Sequence, residues 1–326
     1  MNNLSITRNN GIDLARSVAI FAVILVHTTG VGLGRFGVQL FFVISGFLLA
    51  RYYEVESSSS FLFRRIARLL PLFLIATTYY SLRNNELPDF LNVLLLGNLT
   101  WTTNQIPGEW SISSEWIFSL ILIATWARTR IQVLTIIFLS IFAQILTGLY
   151  VYTRGGADSP ANVEIYKFLT WINTTNPIIN LSFFLIGVAL RSGYIPVIKS
   201  RIVLLCLLTV SIMFDLFIGH FMAVWNVGLY AAFLICFNSE LSSRLASSIR
   251  FIGKRTYGIF FAHFVLMEPI SRFLGENFTL AGLSYYFTYF LAVFLSSLLC
   301  GSVTWLLIES PFIRFSRTVS KKLRGN

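Results

Sequence analysis

Arg16 and His27 stand eleven positions apart in the first long apolar run, GIDLARSVAIFAVILVHTTGVGLG. On a helix, eleven steps of about 100° return nearly to the same face, and the two side chains lie about 16 Å apart along one stripe. Ionisable groups inside an apolar segment of this length mark a site before any other residue does. A guanidinium grips phosphate or carboxylate through paired N–H donors, and a neutral imidazole accepts a proton from a hydroxyl. The pair reads as two ends of one reaction path, with an anionic anchor at one end and a general base at the other.

A second basic group joins the anchor. The segment FLFRRIARLLP carries Arg64, Arg65 and Arg68. Arg64 and Arg68, four apart, share a helix face, and guanidinium groups gathered this way suit a multiply charged phosphate. The competing reading is a topology anchor facing lipid headgroups. Further in, depth counting puts His27 about 8 Å, Glu115 about 9 Å, Asp215 about 10 Å and Glu268 about 12 Å below the outer surface. A polar cluster in the outer half is therefore expected, in which Glu115 meets His27, while His263 falls lower. Cys206, Cys236 and Cys300 lie singly in apolar runs and read as small buried hydrophobes, so no metal site is expected.

The elements that must hold these groups follow from composition. The 326 residues are 56% hydrophobic and 12% charged, with 31 Phe and a mean hydropathy of +0.73, far outside a soluble domain. The expectation is an all-α, polytopic integral membrane bundle of about ten helices, both termini cytoplasmic. The spans are read at 12–33, 36–53, 67–82, 109–127, 131–151, 177–190, 202–219, 221–237, 256–274 and 283–308. Of the 25 basic residues, all but Arg35, Arg83, Arg154, Lys167 and Arg272 then fall at inner ends and loops. That asymmetry accounts for the net charge of +11 by orientation, without a nucleic-acid partner. Residues 90–101 and 168–176 are too short to cross and read as interfacial or re-entrant. His220 is expected at a span end, and Trp101, Trp110 and Trp171 near the outer face. The N-terminus shows no cleavable signal segment, and one integral domain is expected over 1–326 with no soluble module.

Six blocks, in order, carry a resemblance: Arg16 with His27; GVQLFFVISGFLL at 37–49, holding Gln39 and Ser45; FLFRRIARLLPLF at 61–73; WSISSEW at 110–116; YGIFFAHFVLMEP at 257–269; and IESP at 308–311, holding Glu309. Over nearly its whole length the chain resembles the membrane acyltransferase-3 family, which includes bacterial O-antigen acetylases. The resemblance implies His27 as the central catalytic group with Arg16 as its partner, and Glu115 as a functional carboxylate. It implies Arg64, Arg65 and Arg68 near the acyl-CoA entrance. His263 and Glu309 match motif positions. Relatives often carry an acid where this chain has Gln39, and paired acids where it has Glu115 and Trp116.

The activity this implies is O-acyl transfer in the bacterial cytoplasmic membrane, most simply O-acetyl transfer, from acetyl-CoA to a hydroxyl of an extracytoplasmic or lipid-linked glycan. Acyl-CoA, the glycan acceptor and the lipid bilayer are the expected partners, and no permanently bound cofactor is expected. From the residues themselves, a buried His, Glu and Asp set also fits a proton relay in an ion-coupled transporter or flippase. A non-catalytic subunit that binds lipid-linked glycan is the third reading. The basic cluster discriminates for the enzyme, since a transporter needs no anchor for a coenzyme.

Overall fold

The computed structural model describes residues 9–30, 34–55, 57–88, 90–99, 106–124, 129–153, 175–218, 222–278 and 282–324, and every regular element among them is helical. In chain order these are α1 (Asn10–Thr29), α2 (Gly34–Val55), α3 (Ser58–Asn84), the single turn α4 (Phe90–Val93), a 3₁₀ turn (Gly97–Leu99), α5 (Glu109–Ala124), α6 (Arg130–Thr153) and α7 (Pro177–Arg191). Then come α8 (Arg201–Ile218), α9 (Met222–Phe237), α10 (Ser243–Asn277), α11 (Gly282–Thr304), a π turn (Trp305–Glu309) and α12 (Ser310–Arg324). His220, Trp101, Trp171, Arg8, Arg128, Arg154 and Lys167 lie outside the described residues. Three segments, Asn10–Thr29, Arg130–Tyr150 and Gly282–Ser320, are long and apolar enough to cross a membrane.

Local sequence sets the ends of α1. The Asn9 side chain accepts the Gly11 N–H at 2.7 Å, and Gly30 closes the helix at φ 72°, a conformation glycine adopts without steric cost. At α7, Asn176 caps and Pro177 opens the first turn, where its missing N–H is not needed. α7 is short, yet nearly all of its residues are buried, because α2 and α6 enclose it. Gly46 of α2 faces the Phe184 carbonyl and Gly187 of α7 faces the Val43 carbonyl. A Cβ at either position would strike the opposite backbone, so this reciprocal pair lets α2 and α7 approach closely.

Two helices run longer than the sequence reading had them. α3 begins nine residues before the expected span at 67, and α10 begins thirteen before the one expected at 256. Their polar leads stay helical because apolar or small residues recur three or four apart; in α10 these are the buried Ala246, Ile249, Gly253 and Thr256. Residues 90–99, expected to be interfacial or re-entrant, form one α turn and one 3₁₀ turn. Cys236 is buried as expected, but Cys206 is exposed on α8.

Pairwise contacts fix the directions that matter. Asp13 lies against Gly253 and His27 against His263, so α1 and α10 run the same way. α3 joins them, with Tyr257 on Leu69 and Phe73 on Phe261. α5 runs opposite: Gly108 sits under Phe260 and Phe264, while Glu115 reaches Arg65. α11 also runs opposite, placing Gly301 beside Gly258. One end of this group therefore collects Arg16, Arg64, Arg65, Arg68 and Arg255, and the other holds His27 and His263.

Candidate active site

α1 is unbroken from Asn10 to Thr29, so Arg16 and His27 sit about 16 Å apart along it, as the spacing requires. Both face α10, whose residues Tyr257, Phe260, His263 and Phe264 repeat at helical spacing. Between α1, α2, α3, α5 and α10 lies a cavity of about 60 Å³ bordered by Arg16, Ser45, Arg68, Glu115, Tyr257 and Phe260.

The basic cluster is divided between two tasks. Arg65 is 5% exposed. Its guanidinium pairs with Glu115 at 2.9 Å, and its Nε–H donates to the Ser119 hydroxyl at 3.1 Å. This arginine ties α3 to α5. Arg68, one turn on, borders the cavity and has no hydrogen bond or ion pair among the described residues. Arg64 is half-buried beside it. Arg16 stands 3.9 Å from Asp13, a buried acid one turn earlier. A cavity bordered by Arg16 and Arg68, with Glu115 already neutralised by Arg65, is suited to an anionic ligand.

Glu115 also accepts the Ser45 hydroxyl hydrogen at 2.6 Å, and no hydrogen bond or ion pair joins it to His27 among the described residues. The expected outer cluster does not assemble, because each acid has a nearer partner. Asp215 accepts from the Trp225 indole at 3.1 Å. Glu268, at an exposed end, pairs with Arg83 and with Arg272 at 3.0 Å. Gln39 is fully buried and donates to the Met222 sulfur at 3.1 Å, which leaves its oxygen unpartnered.

His263, expected lower than His27, is level with it. The ring centroids are 5.4 Å apart, and Phe264 packs on both rings, at 4.9 Å from His27 and 3.9 Å from His263. His27 is exposed, whereas His263 is 0% exposed and neither of its ring nitrogens has a partner. Phe260 touches His263 at 5.6 Å and borders the cavity, so one aromatic ring separates the arginine-lined space from the histidine pair.

A family model described as an acyltransferase domain matches residues 9–305. The chain belongs to the acyltransferase-3 family. It is a membrane acyltransferase in the general sense, and the match covers every residue of the cavity lining and the histidine pair and ends before Glu309. No curated protein and no solved structure matches the chain. Within this acyltransferase, Asp13, Tyr257 and Phe260 are site neighbours that sequence reasoning did not single out. The signal for two of them was present in YGIFFAHF, where positions 257, 260 and 264 fall on one helical stripe with His263. Tyr257 fixes that stripe by donating its hydroxyl hydrogen to the Leu69 carbonyl at 2.7 Å.

Proposed function

We propose that the chain is a membrane O-acyltransferase that takes an acyl group, in the simplest case acetyl, from cytoplasmic acyl-CoA and places it on a hydroxyl of an extracytoplasmic or lipid-linked glycan. The observation that carries the proposal is the cavity bordered by Arg16 and Arg68, whose Phe260 wall abuts the His27/His263 pair. Positive charge along the sequence assigns the arginine end to the cytoplasm and the histidine end to the far side, with about ten spans and both termini inside. The cytoplasmic membrane of a bacterium is the corresponding location.

In this reading the donor's phosphates bind Arg16, Arg64 and Arg68, and its extended arm follows α1 and α10 toward His27. The acceptor hydroxyl gives its proton to the free nitrogen of His27, and its oxygen attacks the thioester carbonyl. A C–O bond forms, the C–S bond breaks, and the imidazolium returns the proton to the departing thiolate. His263 steadies His27 by ring packing, since Gln39 is engaged with Met222 and Glu115 with Arg65.

Membranes carrying the protein, incubated with radiolabelled acetyl-CoA and lipid-linked glycan, should transfer label to the glycan. Replacing Arg64 and Arg68 together by alanine should raise the apparent Michaelis constant for acetyl-CoA. Glycan movement across the membrane without consumption of acetyl-CoA would overturn the proposal in favour of a transporter.

A further inference from the structure

Phe260 touches both ends of the interval that separates the arginine-lined cavity from the histidine pair. It borders the cavity and meets the His263 ring edge-to-face at 5.6 Å. On α1 the stripe between Arg16 and His27 carries Ile20, Val23 and Ile24, each 0% exposed, and on α10 Phe260 is followed one turn later by Phe264. A donor arm that starts at the arginines and ends at His27 therefore crosses an apolar interval, and the Phe260 ring stands in it.

The ring is clamped without being bonded. Phe260 is 5% exposed and packs edge-to-face on Phe264 at 5.6 Å as well as on His263. Its tip lies over the backbone of Gly108, which enters α5 at φ 77°. A Cβ at Gly108 would be strained in that left-handed conformation and would strike both Phe260 and Phe264. None of these contacts is a hydrogen bond, so the ring can turn aside at the cost of packing contacts alone.

The far side of the ring is wet. His27 is exposed, so water reaches the same imidazole that an acceptor hydroxyl must reach. A base that takes a proton from a sugar hydroxyl also takes one from water. A thioester standing at His27 without an acceptor would then be hydrolysed. The water oxygen attacks the carbonyl as His27 takes one of its protons, the C–S bond breaks, the imidazolium returns the proton to the thiolate, and the free acid and CoA leave.

We propose that Phe260 is a specificity-determining residue, a ring that holds the acyl-CoA thioester on the arginine side of the bundle and so favours transfer to a glycan hydroxyl over transfer to water. The proposal rests on the acyl-CoA reading of the cavity. With the ring in place, the thioester meets His27 only when the ring turns aside. An acceptor seated on the exposed side of His27 displaces the water there, so that an opening ends in transfer; without an acceptor, the closed ring keeps the thioester from the wet base.

The test uses the full-length protein purified into nanodiscs, with acetyl-CoA as the probe and no acceptor. Release of CoA thiol is followed over time and divided by the number of sites that bind radiolabelled CoA, so that misfolded protein is not counted. Phe260→Ala should release CoA about tenfold faster per site than the wild type. Phe260→Leu keeps part of the apolar bulk and should fall between, and it decides the matter alone where the alanine variant retains no sites. Adding His27→Ala to Phe260→Ala should return release to the wild-type level, because the same base activates the water. Release per site that stays at the wild-type level in the Phe260 variants, or release that persists without His27, would overturn the proposal and leave the acyl-CoA reading intact. Failure of the wild type to bind CoA would overturn both.

Discussion

Gln144 and Arg68 are both polar side chains inside an apolar bundle, and their surroundings differ. The Gln144 amide nitrogen donates to the Ile179 carbonyl at 2.7 Å and to the Ser182 hydroxyl at 3.0 Å, while its oxygen accepts from Asn226 at 2.7 Å. Ser140 adds a bond to the Ile179 carbonyl at 2.9 Å. This network joins α6, α7 and α9 and uses up nearly every donor and acceptor it contains. In the α1, α3, α5 and α10 group, by contrast, both ring nitrogens of His263 are buried without a hydrogen-bond partner, and Arg68 borders a cavity. A saturated network is glue between helices, whereas a guanidinium at the border of a cavity can bind an anionic ligand. Polarity in the membrane is thus not itself the mark of a site; a charged side chain bordering a cavity is.

The difference is open to attack from both sides. His27→Ala should lower acyl transfer about a thousandfold and leave the thermal unfolding temperature in detergent unchanged; a coupled loss of fold would place His27 with the glue. Arg65→Ala, although it belongs to the predicted basic cluster, should act as a structural change. It strands Glu115 without its counter-ion and should cost about 3–5 kcal/mol of stability, read by denaturant titration, and Glu115→Gln on that background should recover part of the loss. Gln144→Leu should destabilise by about 1–2 kcal/mol with Michaelis constants unchanged, which steady-state kinetics on the surviving fraction will check. Ser45→Ala is the finest probe, because Ser45 borders the cavity and also donates to Glu115. It should cost about 1 kcal/mol and shift the donor Michaelis constant no more than about twofold.

The spacing of Arg16 and His27 along one helix was legible from sequence because it needed only helix periodicity, which any straight helix honours. The all-helical class was legible from composition alone. His263 was misplaced because depth counting treats every helix as perpendicular to the membrane. Between the contacts Asp13/Gly253 and His27/His263, α1 uses more residues than α10 to cover the same interval, as helices inclined to one another must. The role of Arg65 was hidden for another reason. In FLFRRIARLLP its neighbours Arg64 and Arg68 are chemically equivalent, and only packing against α5 decides which one is consumed by Glu115. The burial of Glu309, 5% exposed at the end of the π turn, was likewise out of reach, because a π turn inserts one residue into a period that is α-helical on both sides and shows only as a change of phase.

The unbroken α1 carries a consequence for which acyl groups the protein can use. With no proline, no internal glycine after Gly11 and no π or 3₁₀ step between Arg16 and His27, the helix is a fixed ruler, and neither of its marks can slide toward the other. If the donor binds as proposed, with its phosphates at Arg16 and the α3 arginines, its thioester is delivered to one height, whatever is attached beyond it. Lengthening the acyl chain cannot stretch the ruler, so extra carbons must project past the second mark toward the exposed side of His27, where they compete for the space the acceptor needs. Preference for short acyl groups would then be a property of one rigid helix rather than of a dedicated acyl pocket.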